Sequence, residues 1–170
     1  MAEPTPPLID ALGTVHRRAA GDARIVCLVP SITELLFTLG LGDRMVGRTG
    51  FCVHPRDGVK KLPKVGGTKD VNLQRVQALA PTHLIVNVDE NEKPIVDALA
   101  QFVPNVIVTH PKAPLDNLAL YRLIGGIFGR ESEAAALCRD FQAAYDAAVQ
   151  ACAQHPRERV LYLIWKSPWM

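Results

Sequence analysis

Residues 24–29 read RIVCLV, and Pro30 follows. An unbroken apolar run of strand length, stopped by a proline, describes a strand covered on both faces. Strands of that kind occur in parallel sheets with helices on either side, so the run commits the chain to an α/β architecture. The next residues agree. Ile32, Leu35, Leu36 and Leu39 recur at helical spacing, Ser31 and Glu34 have the S-x-x-E spacing of a capping box, and Gly40 and Gly42 stop the helix.

The alternation then repeats. Strands are expected at Met45–Arg48, His83–Val88 and Asn105–Thr109, with shorter ones at Val15–Arg17 and around Val65. Helices are expected at LQRVQALA with Asn72 as N-cap, at Glu92–Val103 with Asn91 or Asp89 as cap, and from Asp116 through Phe128 to the stop at Gly129. Glu131 to Gln154 holds neither proline nor glycine, and Leu137, Phe141, Ala144, Ala148 and Cys152 follow one another at three or four residues. This predicts a single helix of roughly 33–36 Å, long for a small α/β domain. After Pro156, Arg159–Trp165 (RVLYLIW) predicts a further apolar strand.

The 19 basic residues nearly balance the 17 acidic ones, and no long basic run occurs, so charge makes no case for nucleic acid or an anionic membrane as partner. No apolar stretch is long and clean enough to predict a membrane span: IVCLVPSITELLFTLGLG carries Pro30 and Glu34 near its middle. The start, MAEPTPPLIDALG, lacks the basic and apolar regions of a secretory leader. Cys27, Cys52, Cys138 and Cys152 form no C-x-x-C pair and read as small apolar residues.

Catalytic signatures are missing from the sequence. The glycines of Gly40–Met45, Gly66–Asp70 and Gly125–Arg130 lack the spacing or context of a nucleotide-binding loop, and no G-x-S-x-G or H-E-x-x-H occurs. His54 and His110 both follow strands and precede prolines, so they belong to the carboxyl side of the sheet, where open α/β sheets bind ligands. With Asp89 or Glu90 they would make a metal-dependent enzyme site; without a third ligand they are surface or turn histidines. VDENEK at Val88–Lys93 reads either as a solvated helix start or as a pocket rim.

The stretches DALG, RIVCLVPSITELLFTLGLGDRMVGRT and KVGGTKDVNLQRVQALAPTHLIV closely resemble the substrate-binding proteins of ABC importers for cobalamin, iron–siderophores and haem, the receptors whose two lobes are joined by one helix. The resemblance runs from about Leu8 to Met170. FCVHP, VGGTK and DEN are most similar to the cobalamin-receptor-like subgroup. What it implies is a parallel-sheet, three-layer α/β lobe, followed by a long backbone helix and the first strand of a second lobe. The corresponding division is an N-terminal extension (1–23), a ligand-binding lobe (24–130), the backbone helix (131–155) and the start of a C-terminal lobe (156–170). On this reading the chain is a fragment or truncated member whose exposed helix and C-terminal strand favour self-association.

The function implied is capture of cobalamin or another metal chelate, as ligand rather than intrinsic cofactor, for delivery to an ABC permease in the periplasm, with no bond-making step. The missing leader leaves a cytosolic carrier of the same fold as an alternative. Ligand-side residues by resemblance are Ser31, Phe51, His54, Thr68, Lys69, Asn87, Glu90 and His110. Phe51 stands where the cobalamin receptors have one of the aromatic groups that pack the corrin, whereas Thr68 and Asn87 stand where they have two others. Trp165 and Trp169 are candidates to restore aromatic surface. Gln74 occupies the position of the acidic residue that pairs with permease arginines, with Asp70 nearby as a substitute.

Overall fold

In the computed structural model, residues 7–163 are described. They fall into two compact units that divide between Cys138 and Arg139. The first is an α/β lobe. Its strands β1 (Ile25–Cys27), β2 (Met45–Arg48), β3 (His83–Asn87) and β4 (Asn105–Thr109) form one parallel sheet in the order β2-β1-β3-β4. Helices α1 (Pro30–Thr38), α2 (Arg56–Val59), α3 (Leu73–Ala78), α4 (Lys93–Leu99) and α5 (Asp116–Phe128) connect and follow the strands. The chain leaves β1 toward β2 on one side and returns to β3 on the other, so the topological switch point lies between the carboxyl ends of β1 and β3.

Alternation along each strand builds the layers. Ile25, Cys27, Val29, Ile85 and Ile107 point to one face and pack with Leu35, Leu36 and Leu39 of α1 and with Ile124, Ile127 and Phe128 of α5. Val26, Leu28, Leu84, Val86 and Val108 point to the other, against Val76 of α3 and Leu99 and Val103 of α4. Full burial of one such side chain contributes about 1.5–3 kcal/mol, which is why the apolar runs sit in the middle of the sheet.

Most expected elements form, and the differences have local causes. Val29 is the N-cap of α1 and Pro30 its first residue, with no side-chain cap. Proline's fixed φ starts the helix before Ser31, which therefore cannot act as the cap of a capping box. Asn72 does cap α3, accepting the Arg75 amide at 2.9 Å. Glu92, rather than Asn91 or Asp89, occupies the N-cap position of α4. Gly129 ends α5 in the left-handed region, at φ 69°.

Val15–Arg17 is not a strand; Val15 makes one isolated bridge to Ile9. Around Val65 the chain forms single bridges, Arg48 to Lys64 and Gly66 to Val71, in place of a strand. The segment before β1 has a different task. Ala11 donates to the Val108 carbonyl at 2.9 Å, and the Asp10 carboxylate accepts the Val108 amide at 3.1 Å. The outer edge of β4 is thereby satisfied by a turn instead of another strand.

The long helix α6 runs Glu131–Ala153, about 35 Å. Within the first unit its Ala134 and Cys138 are buried. In the second unit, Phe141 and Tyr145 stack with centroids 6.4 Å apart. The described part of the expected C-terminal strand, Arg159–Leu163, carries no regular structure and is exposed. A strand needs a neighbour for its backbone groups, and none pairs with this segment among the described residues. Ile164 and Trp165 lie outside the described residues.

Candidate functional site

The carboxyl ends of the four strands carry the loops that hold Ser31, Phe51, Asn87, Glu90 and His110. Arg48, at the end of β2, organises the first of the long loops. It is buried, and its guanidinium donates to the Val59 carbonyl at 2.8 Å, to Thr49 at 3.0 Å and to Cys52 at 2.9 Å. Cys52 is pinned from inside as well, with Thr33 Oγ1 at 3.1 Å and Thr49 Oγ1 at 3.2 Å from its sulfur. A loop whose base is held so fully presents its tip outward: Phe51 is 63% exposed and His54 is exposed, before a cis bond to Pro55.

The neighbouring loop approaches through two glycines. The Gly50 amide donates to the Gly66 carbonyl at 2.7 Å, and a Cβ on Gly67 would stand 3.3 Å from the Phe51 ring. Gly66 has φ 119°, and a Cβ there would meet the Asp70 carbonyl at 2.3 Å. Only glycine fits this close turn. It sets Thr68 half-buried and leaves Lys69, Asp70 and Gln74 exposed.

Asn87 and Asn91 brace the loop after β3. The Asn91 amide oxygen accepts from the Asn87 backbone at 2.9 Å, and its nitrogen donates to the Thr68 carbonyl at 2.9 Å. Asn87 accepts the Asp89 amide at 2.8 Å and reaches Thr109 at 3.5 Å. The helix start thus loses its asparagine cap because that side chain ties two loops together. His110 Nε2 lies 3.2 Å from the Asp89 carboxylate. Burial first, and the Asp89 charge second, raise the Glu90 carboxyl above its ordinary 4.5. Beside these loops, α1 and α5 enclose a cavity of about 250 Å³ whose lining includes Ser31, Asn87 and Tyr121.

The sheet edge therefore brings Phe51 against the Gly67–Thr68 loop and His110 against Asp89. Among the described residues, no three His, Cys, Asp or Glu side chains are grouped to hold a metal ion. Trp165 and Trp169 lie outside the described residues. Sequence reasoning missed Arg48 and Asn91. An arginine closing the otherwise neutral strand MVGR was the available signal for the first; nothing in the sequence marked the second.

A family model for periplasmic binding proteins matches residues 25–168. The chain belongs to that family. Its members bind substrates and are not enzymes, which sets aside the metal-dependent enzyme reading of His54, His110 and Asp89 or Glu90. The vitamin B12-binding protein of Yersinia pestis (strain Pestoides F) is 31% identical over 120 residues, which make up 67% of this chain and 42% of that relative. The periplasmic vitamin B12-binding protein BtuF of Vibrio cholerae matches with a TM-score of 0.78 at 19% identity, over 88% of this chain and 58% of that one, and shows the shared fold. A periplasmic heme-binding protein from Pseudomonas aeruginosa matches with a TM-score of 0.67 at 29% identity, over 77% and 48%. The chain thus spans less than half the length of the curated relative and about half that of the solved structures. No helix among the described residues is long and apolar enough to cross a membrane.

Proposed function

We propose that this chain provides a ligand-facing lobe of an ABC importer's substrate-binding component, capturing cobalamin or a related metal chelate in the periplasm for delivery to a permease. The observation that carries the reading is the braced loop edge at the β1/β3 switch point, where open parallel sheets take ligands, with Phe51 exposed beside the Gly67–Thr68 loop. An exposed aromatic ring suits the face of a flat macrocycle. Membership in the family and the printed specificities of the relatives support the same ligand class.

On this reading Ser31, Phe51, His54, Thr68, Lys69, Asn87, Glu90 and His110 form the ligand side. Asn87 acts mainly by holding its loop, since both ends of its amide are engaged. Asp70 and Gln74, both exposed on the loop before α3 and on α3 itself, are the permease-facing pair. Calorimetric titration with cobalamin, cobinamide, haem and a ferric siderophore tests the reading. Saturable binding of at least one chelate, weakened by Phe51→Ala, is expected. No binding of any of them, alone or with a second lobe supplied from a relative, would overturn it.

A further inference from the structure

Glu90 stands just beyond β3, half-buried, at the side of the switch point. Its polar neighbours are engaged. Asn87 and Asn91 hold one another and the Thr68 carbonyl, and the Asp89 carboxylate meets His110. Among the described residues, the Glu90 carboxylate receives no hydrogen bond and no ion pair. Its charge reaches the thiol of Cys27 at the carboxyl end of β1, so the carboxyl lies toward the switch point rather than out over α4. A carboxylate partly removed from water and left without a donor gains more than an exposed one from any donor placed against it. Lys69 and Lys112 on flanking loops are exposed, and solvent and salt screen charges of that kind.

We propose that Glu90 determines specificity at this edge, accepting hydrogen bonds from a chelate whose rim carries carboxamide or ammonium groups and disfavouring one whose rim carries carboxylates. The inference rests on the reading of this edge as a chelate site and narrows its ligand class. An amide-rimmed corrinoid offers N–H donors to Glu90. A porphyrin with propionates brings a second anion to a position already occupied by two acids, of which only Asp89 has a cationic partner in reach.

The full chain and its Glu90→Gln variant are titrated with cyanocobalamin, dicyanocobinamide and haem at neutral pH, with melting temperature followed in parallel. The wild type should prefer the corrinoids. In the variant, corrinoid affinity should fall roughly ten- to hundredfold while haem affinity holds or rises, because a charged acceptor has been replaced by a neutral amide. Damage to the fold would lower all three together. An unchanged corrinoid-to-haem ratio overturns the role of Glu90 and leaves the chelate reading standing. Failure of the wild type to bind any of the three removes both.

Discussion

Asp10 is the residue on which the sheet's outer edge depends. Its carboxylate accepts from Leu12, Thr14 and Val108 amides and lies 3.1 Å from His16 Nε2. Burial works to raise its pKa, but the His16 bond and the three backbone amides outweigh it and hold the group below its ordinary 3.8. A depressed carboxylate contributes stability that is present above the unfolded value and lost as pH falls through the folded one. The urea midpoint of the wild type should therefore decline as pH drops below 3.8, and Asp10→Asn should flatten that decline. Asp10→Ala should cost about 1–3 kcal/mol at neutral pH, since it strands buried amides. Asn91 predicts a different signature. Asn91→Ala removes the bridge from Asn87 to Thr68, so chelate affinity should fall and amide exchange in Gly67–Thr68 should quicken, with only a modest loss of melting temperature. Unchanged exchange there would contradict the bracing role.

At the level of elements, periodicity in the sequence located the helices and strands well, because each apolar repeat reports a face that must be buried. Met45–Arg48 and Asn105–Thr109 form as expected, and α6 ends within one residue of the expected Gln154. The misreadings sit where long-range bonding decides. Val15–Arg17 has the composition of an edge strand, yet β4 takes its edge partners from Asp10 and Ala11, about a hundred positions earlier in the chain. Val65 is fully buried, but its stretch is shaped by the Gly66 turn. Gly66→Ala should destabilise the lobe by about 1–3 kcal/mol, because φ 119° is strained for an L residue and the new Cβ meets the Asp70 carbonyl. Chemical denaturation measures it, and a neutral result would show that the turn can relax.

At the scale of the whole molecule, both buried cores belong to the unit ending at Cys138, whereas the residues after Ala153 are exposed. Trypsin should therefore cut first after Arg157 and Arg159, leaving a fragment that keeps the main thermal transition. Early cleavage at Arg24 or Arg48 instead would place the weak point in the sheet. Val160, Leu161 and Tyr162 are each more than 80% exposed, which is apolar surface of the kind that drives association. Light scattering should show mass rising with concentration, and Leu161→Asp with Tyr162→Ser should reduce the rise. A concentration-independent mass would remove self-association from the proposal.

The amino-acid sequence by itself determined the α/β class, the order of elements and the long helix, because these follow from local spacing, proline and glycine. Its motifs also carried the resemblance to the binding-protein family. The tertiary structure alone decided which polar groups are engaged and which are left over. Arg48, Asn91 and Asp10 resemble ordinary loop or strand-end residues until the fold supplies the distant carbonyls and amides they satisfy. Glu90 resembles a solvated helix-start acid until burial leaves it without a donor. Hydrogen-bond satisfaction is a property of three-dimensional neighbours, and the sheet brings together residues that the chain keeps up to ninety-eight positions apart.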